Sequence, residues 1–161
     1  MTAPDVRPVV LAYDGSAEAQ AALREAVALF DQRPLIVASV WEPGLAMVTM
    51  LPAAGEPTMG SLPDPGEVAA IDRVQSGHAG EVAQAGARLA RELGATAEAV
   101  SMPDSASVAG TLIAIAEERD ARAIVVGSRG LGGIKARVLG STSRQLLHDT
   151  HRPVLVVRTP E

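Results

Sequence analysis

Two glycine-containing segments near the C-terminus have the spacing of a phosphate-binding site. The segment Gly127–Gly130 is followed, after nine intervening residues, by Gly140 and three hydroxyl side chains, Ser141, Thr142 and Ser143. An apolar run that predicts a buried strand precedes the first segment, and the second segment opens a predicted helix. The first amides of a helix have no partner of their own and lie at the positive end of the helix dipole. This arrangement can hold phosphate, and the three hydroxyls could complete the cradle.

The same residues also admit a plainer interpretation. Each glycine could be a turn residue, and Ser141 could be an N-cap alone. The complete spacing, placed between a strand and a helix, favours the phosphate site. Arg129, Lys135 and Arg137 add positive charge around it in a chain whose net charge is −5. The sequence contains no G-x-x-x-x-G-K-[ST] loop, and no G-x-G-x-x-G follows the first strand, so two other phosphate motifs are excluded.

Nucleophilic and metal-dependent catalysis find little support in the sequence. The chain has no cysteine, which excludes disulfides, iron–sulfur clusters and cysteine catalysis. A triad of Ser141, His148 and Asp149 fails, because seven helical residues separate the hydroxyl from the imidazole by about 10 Å. The other histidines, His78 and His151, share no convincing face with His148. We therefore predict no catalytic residue and no zinc site.

The elements that must position the glycine segments follow an alternation of strands and helices. Continuous apolar runs such as Val9–Leu11 are typical of strands covered on both faces. The alternation predicts an α/β fold, a parallel sheet with helices on both faces. The predicted strands are Val6–Tyr13, Leu35–Trp41, Ala95–Met102, Ala123–Val126 and Pro153–Val157, and the predicted helices are Ala17–Asp31, Glu67–Leu93, one capped by Ser105 or Ser107, and Ser141–Asp149.

Residues 42–66 match no helix or strand. They are rich in proline and glycine and long for a loop, which predicts either a mobile lid or a disordered insertion within a single domain, 1–161. The negative net charge, with one Phe, one Tyr and one Trp, disfavours nucleic acid as a partner. No apolar run reaches the roughly 18 residues that span a bilayer, so no membrane partner is expected. The N-terminus lacks a signal-peptide pattern, and the cytoplasm is the expected location.

With these motifs in place, the chain resembles the universal stress protein family. The family's nucleotide motif, G-x2-G-x9-G-[ST], is present as Gly127, Gly130, Gly140 and Ser141. The C-terminal run around this motif and the opening stretch VVLAYDGSAEAQAAL also resemble the family. The resemblance covers nearly the whole chain except residues 42–66, whose role cannot be carried over.

The resemblance implies a Rossmann-like sheet, similar to the adenine nucleotide α-hydrolases, with five parallel strands in the order 3-2-1-4-5. Ligands of such sheets bind at the carboxyl ends of the strands where the connections reverse, here between strands 1 and 4. It implies that Asp14, otherwise a turn or cap residue, lies beside the nucleotide, and that Ala12, Val40 and Val126 are near adenine. The other implied binding residues are Gly127, Arg129, Gly130, Gly140, Ser141, Thr142 and Ser143.

The implied function is that of an ATP-binding regulator of the stress response. ATP, with Mg²⁺ held by its phosphates, would change dimer state, loop order or partner binding, and hydrolysis would be slow at most. The resemblance also suggests a homodimer formed through strand Val154–Val157. Three alternatives stay open: a member that binds cyclic AMP, a member that binds no nucleotide and acts through protein partners, and a nucleotidyl-transfer enzyme. The last is disfavoured because Asp14–Ser16 is too sparse for a phosphate loop after strand 1.

Overall fold

The computed structural model describes residues 6–44, 64–128 and 139–159. In these ranges strands and helices alternate along the chain, as the apolar periodicity predicts. The elements are β1 (Val9–Ala12), α1 (Ala17–Leu29), β2 (Leu35–Trp41), α2 (Pro65–Glu92), β3 (Ala97–Pro103), α3 (Val108–Glu118), β4 (Ala123–Gly127), α4 (Ser141–Asp149) and β5 (Val154–Val157).

The five strands form one parallel sheet in the order β3-β2-β1-β4-β5. This confirms the predicted fold class and strand order. The central strand β1 pairs with β2 on one side and with β4 on the other, with Leu11 level with both Val37 and Val125. These three side chains are fully buried, because helices cover both faces of a parallel sheet.

Successive residues of β1, and Tyr13 directly after it, point into two separate cores. Val9, Leu11 and Tyr13 belong to the core that the sheet shares with α1 and α2. Val10 and Ala12 face the core that the sheet shares with α3 and α4. The alternation follows from the two-residue period of a strand. Among the helices of the described ranges, none is both long and apolar enough to cross a membrane.

The predicted limits of the 42–66 segment are wrong at its end. Pro65 and Gly66 already belong to α2, which continues through Gly77 to Glu92 without interruption. The Asp64 side chain caps the helix, since its Oδ1 accepts a hydrogen bond from the Gly66 amide at 3.0 Å. Proline suits the first helical position, where no intrahelical amide bond is required. Residues 45–63 of the predicted segment lie outside the described residues.

Other predicted elements differ from the observed ones at their ends. β1 begins at Val9 rather than Val6, because the preceding Pro8 has no amide hydrogen for the ladder. α1 ends at Leu29, and the chain reverses at Gln32, which has φ of 65°. Of the two serines considered as caps for α3, Ser107 fills that role, and its Oγ accepts a hydrogen bond from the Gly110 amide at 3.0 Å.

Gly86 allows α2 to approach the sheet closely. A Cβ atom at this position would lie 2.7 Å from Cδ1 of Tyr13 and 2.8 Å from Cγ1 of Val37. Contacts this short would force the Tyr13 ring, Val37 or the helix to shift, so glycine at position 86 lets the helix lie this close to the sheet. A glycine inside a helix ordinarily weakens the helix, but at position 86 it lets α2 pack closely against Tyr13 and Val37.

Candidate functional site

The carboxyl ends of β1 and β4 lie side by side where the chain connections diverge. β1 continues through α1 to β2 on one side, and β4 continues through α4 to β5 on the other. Leu11 is paired with Val125, and Asp14 and Gly127 follow a few residues later on their strands. Both therefore emerge at the same edge, the usual ligand position in open α/β sheets. We refer to the opening between these two strand ends as the crevice.

Asp14 is held in a tight turn at the end of β1. The Ser16 amide donates a hydrogen bond to Asp14 Oδ1 at 3.0 Å, and Gly15 has φ of +79°, which favours glycine. The Ser16 Oγ in turn accepts from the Ala19 amide at 3.1 Å and caps α1. The plain turn role of Asp14 is therefore present in the structure. The same turn fixes its half-buried carboxylate at the mouth of the crevice.

Three apolar side chains from adjacent strands lie on one side of the sheet at this edge. Ala12 of β1, Val40 of β2 and Val126 of β4 all face the core shared with α3 and α4. Val126 is buried, while Ala12 and Val40 are half-buried. Because the strands are neighbours in the order β2-β1-β4, these residues form a continuous apolar floor on the face where α4 begins. A flat apolar ring could lie on such a floor.

The N-terminus of α4 is fixed beside the end of β4 by two hydrogen bonds. The Gly140 amide donates to the Ser128 carbonyl at 2.8 Å. The Ser143 Oγ, buried to 2% exposure, donates to the Gly127 carbonyl at 2.9 Å. Together they tie the two glycine segments of the sequence motif to each other, although these segments are separated in the sequence.

No side chain within the described residues caps the N-terminus of α4. Gly140 is the N-cap, with φ −59° and ψ 161°, and it has no side chain to accept a bond from the first-turn amides. Ser141, which is exposed, and Thr142, which is half-buried, belong to the first turn of the helix. The helix dipole makes this end positive. The arrangement can hold an anionic oxygen at the mouth of the crevice.

The structure separates the three hydroxyls that the sequence grouped together. Ser143 uses its hydroxyl hydrogen on the Gly127 carbonyl, whereas Ser141 and Thr142 lie at the surface end of the same turn. Of the other predicted site residues, Arg129 and Gly130 lie outside the described residues, as do Lys135 and Arg137.

Two ionisable side chains, Tyr13 beside the crevice and Asp149 at the far end of α4, have shifted pKa values. The pKa of Tyr13 is raised, chiefly because burial disfavours the phenolate; the nearby Arg24 lowers the pKa and Asp14 raises it. At the other end of α4, His148 lies 2.6 Å from Asp149, and this hydrogen bond lowers the pKa of the Asp149 carboxyl. Among the described residues there is no group of three or more His, Cys, Asp or Glu side chains that could hold a metal.

Two contributors to this edge were not found from the sequence. Ser128 is buried, and its amide donates to the Val157 carbonyl at 2.7 Å, so it joins the ends of β4 and β5. Tyr13 closes the opposite face of β1 beneath Gly86. The sequence did carry a signal for Ser128, because this residue directly follows Gly127, the last residue of β4. The contact between Tyr13 and Gly86 joins positions far apart in sequence, and no local pattern predicts it.

Comparison with known proteins gives the same architecture. The model of the universal stress protein family matches residues 5–158. No curated protein matches the chain in sequence. A universal stress protein, UspA from Lactobacillus plantarum, is 18% identical with a TM-score of 0.70, covering 95% of this chain and 98% of its own.

Two further solved structures are complexes with nucleotides. The universal stress protein from Archaeoglobus fulgidus in complex with dAMP is 23% identical with a TM-score of 0.61, covering 92% of this chain and 95% of its own. A universal stress protein in complex with cAMP is 23% identical with a TM-score of 0.59, covering 96% and 98% of the two chains. At these identities the likeness establishes the fold. Since the family model spans nearly all of the sequence, this chain belongs to the universal stress protein family.

Proposed function

We propose that this protein binds an adenine nucleotide in the crevice and acts as a nucleotide-dependent switch in the stress response, with ATP as the principal ligand. The observation that carries the proposal is the N-terminus of α4, where Gly140 is the N-cap, no side chain of the described residues caps the helix, and the backbone is tied beside β4. Relatives of the same family are found in complex with dAMP and with cAMP, which supports an adenine nucleotide as the ligand class.

The phosphates of the ligand are assigned to the beginning of α4. The first-turn amides there lie at the positive end of the helix dipole, and an anion in front of them gains hydrogen bonds as well as a favourable field. Ser141 and Thr142 would add their hydroxyls. Gly140 contributes its lack of a side chain, which lets phosphate oxygens approach the backbone. In our proposal Arg129 and Gly130 complete the cradle from the preceding segment.

The adenine ring is assigned to the apolar floor of the crevice. Ala12 and Val40 are the half-buried members of that floor, and covering them with a planar ring removes apolar surface from water. Asp14 stands at the mouth of the crevice, held by the Ser16 amide, where its carboxylate could accept a hydrogen bond from a base or ribose donor. Val126 and Gly127 line the β4 side.

Mg²⁺ is proposed to bind through the nucleotide phosphates. Mg²⁺ commonly uses substrate phosphate oxygens and waters with one or two carboxylates, so it needs no dedicated protein cage. We assign no catalytic residue, and any ATP hydrolysis by this protein is expected to be slow. A cytoplasmic location, and the absence of nucleic-acid and membrane partners, stay predictions from the sequence.

A homodimer through β5 is part of the same proposal. β5 is at one end of the strand order, and its residues Val154, Leu155 and Val156 are apolar and only half-buried. An exposed apolar edge strand favours pairing with another strand. Pairing with the same strand of a second copy would cover it. Ser128 donates to the Val157 carbonyl, so this interface would connect directly to the crevice.

Titration calorimetry with ATP, ADP, AMP and cyclic AMP, with and without Mg²⁺, tests the proposal. The variant Gly140→Asp places a negative charge at the phosphate position, while aspartate remains a favoured N-cap, so the fold should be kept. We expect ATP affinity to fall by about tenfold or more, or about 1.4 kcal/mol. Gly77→Asp is the matched control, since its Cβ would meet no atom within 4 Å, and it should bind as the unsubstituted protein does.

The titration also separates the alternatives. If cyclic AMP bound and ATP did not, the crevice would still be the binding site, but its ligand would be cyclic AMP. No binding by any of the four nucleotides, from protein shown to be folded and initially free of ligand, would refute the proposal and favour a member that works through protein partners. Equal losses in Gly140→Asp and Gly77→Asp would contradict the assignment of phosphate to α4.

A further inference from the structure

The face of the sheet that carries the apolar floor of the crevice continues from β2 to β3, where it ends at Met102. Val40 is level with Met102 in the parallel pairing of β2 with β3. Val100, two residues before Met102, packs into the core shared with α3 and α4. Because side chains on a strand alternate between the two faces of a sheet, Met102 lies on this same face. Met102 therefore extends the floor formed by Ala12, Val40 and Val126 by one strand.

Met102 differs from the rest of the floor because its side chain is both long and exposed. It is 39% exposed, whereas Val126 is buried and Val40 is half-buried. Its position relative to Val40 is fixed, since the Asp104 amide donates to the Trp41 carbonyl at 2.7 Å and joins the ends of β3 and β2. Neighbouring strands lie about 4.8 Å apart, so a planar ring that rests on Val40 can extend to the Met102 thioether. Methionine sulfur makes favourable contacts with aromatic rings, often at the edge of the ring.

The thioether of Met102 also has a reactivity that the other floor residues lack. The chain contains no cysteine, so methionine supplies all of its sulfur, and of the five methionines Met102 is the one within the described residues. When hydrogen peroxide reacts with a thioether, a sulfur lone pair forms an S–O bond while the O–O bond breaks. Sulfur is oxidised by two electrons, and the second peroxide oxygen leaves as water with both protons. The product, methionine sulfoxide, is polar, and sulfoxide reductases return it to the thioether.

We infer that Met102 contacts the bound base, and that oxidation of its sulfur by peroxide lowers the affinity of the crevice for the nucleotide. A sulfoxide oxygen accepts hydrogen bonds from water. Covering it with a flat aromatic ring removes those bonds, and removing a polar group from water without a replacement partner is unfavourable. The thioether therefore favours the bound base and the sulfoxide opposes it, so occupancy of the crevice responds to peroxide as well as to nucleotide. This inference rests on the function proposed above.

The first test measures whether a bound nucleotide covers Met102. The full chain is treated with hydrogen peroxide, with and without saturating ATP and Mg²⁺, and peptide mass spectrometry follows sulfoxide formation at Met102. We expect bound ATP to slow this oxidation by about threefold or more, because the ring lies against the exposed sulfur. Equal rates with and without ATP, in protein that calorimetry has shown to bind ATP, would overturn the inference and leave the proposed function standing.

The second test measures ATP affinity by titration calorimetry after oxidation. Peroxide-treated protein should bind ATP about fivefold more weakly, and a methionine sulfoxide reductase should restore the affinity. Met102→Leu keeps an apolar side chain of similar volume, so it should bind ATP as the unsubstituted protein does, before and after peroxide. Met102→Gln should bind as weakly as the oxidised protein. The control Leu29→Gln changes a side chain that is 61% exposed at the end of α1 and should leave the affinity unchanged.

These measurements separate the inference from the function on which it rests. No nucleotide binding by the untreated protein would refute the proposed function and the inference together. If the untreated protein binds ATP, equal losses after peroxide in the unsubstituted protein and in Met102→Leu would assign the loss to the other methionines and overturn the inference alone. A fall in the thermal stability of Met102→Gln that matches its loss of binding would show a disturbed fold rather than a lost base contact, and would also overturn it.

Discussion

At the carboxyl edge of the sheet the two faces of β1 are packed very differently. On the face toward α1 and α2, Tyr13 is 7% exposed, and its ring lies directly beneath Gly86. On the face toward α3 and α4, the preceding residue Ala12 is only half-buried, as is Val40 on the next strand. One face is closed by a large ring under a close helix, and the other is left open above small side chains.

The difference shows that the crevice opens on the face of the sheet toward α3 and α4. α2 lies close against the sheet at the end of β1 because glycine at position 86 lacks the Cβ atom that would meet Tyr13 and Val37. On the other face α4 only begins at this edge, at Ser141, and directs its amino end toward the opening. A ligand at this edge therefore meets a closed wall on the Tyr13 side and, on the α4 side, helix amides that no side chain of the described residues caps. We call these the closed face and the open face.

The largest expected effect comes from adding one methyl group to the closed face. In Gly86→Ala, the new Cβ would lie within 3 Å of the Tyr13 ring and of Val37, and overpacking of this kind destabilises a protein by about 1–3 kcal/mol. Urea denaturation should therefore show a lower free energy of unfolding. Nucleotide affinity should also fall, because displacement of Tyr13 disturbs the adjoining Asp14 turn.

The matched control for this change is Gly80→Ala in the same helix. A Cβ at position 80 would meet no atom within 4 Å, and alanine is favoured over glycine in helices by about 0.5–1 kcal/mol. This variant should be slightly more stable than the unsubstituted protein. Equal stability of Gly86→Ala and Gly80→Ala would show that α2 is not closely packed on Tyr13.

The second comparison on the open face is between the buried serine that anchors α4 and the exposed serine in its first turn. Ser143→Ala removes the buried hydroxyl that donates to the Gly127 carbonyl and should destabilise the protein by about 1–2 kcal/mol, since a buried acceptor loses its partner. Ser141→Ala changes an exposed hydroxyl, so stability should change by less than about 0.5 kcal/mol. In calorimetry Ser141→Ala should still weaken ATP by several-fold.

These two serines test the site assignment as well as the fold. If Ser141→Ala left ATP affinity unchanged, the surface hydroxyl would have no place in the phosphate cradle. If Ser143→Ala left stability unchanged, the bond between α4 and β4 would not hold the two ends of the motif together. Thermal denaturation and titration calorimetry on the same samples separate the two effects.

The fold could be predicted from the sequence because its signals are local. Buried parallel strands such as Ala123–Gly127 have continuous apolar runs, and caps such as Ser107 and Ser16 stand beside the helices that they begin. The strand order came from the resemblance to a family, since the periodicity of a strand does not identify its neighbours. The predicted start of α2 was wrong because a single capping residue, Asp64, sets where the helix begins.

The candidate site could be predicted only in part. The spacing of Gly127, Gly140 and Ser141 located the meeting of a strand end with a helix start, which is a local pattern. It could not show that Ser143 turns its hydroxyl back to Gly127, because that depends on how α4 is rotated about its axis. The packing of Gly86 on Tyr13 joins two distant segments, so it required the folded structure.

The smallest predicted effect concerns ionisation of Tyr13 on the closed face. Burial raises its pKa above the usual value of about 10, so above pH 10 the unfolded chain loses the phenol proton before the folded chain does. The folded state then binds more protons than the unfolded state, and stability must fall as pH rises from about 10 to the folded pKa. Tyr13 is the one tyrosine of the chain, so absorbance of the phenolate near 295 nm reports this group alone.

The titration midpoint should be higher in the folded protein than in urea. Arg24 lowers the pKa of Tyr13, so Arg24→Gln should move the folded midpoint further up without affecting the midpoint in urea. The phenylalanine variant Tyr13→Phe should lose less stability than the unsubstituted protein between pH 10 and pH 11, as measured by urea denaturation. Coincident midpoints in the folded and unfolded protein would mean that the Tyr13 hydroxyl is open to water. The closed face would then cover the aromatic ring of Tyr13 but not its hydroxyl.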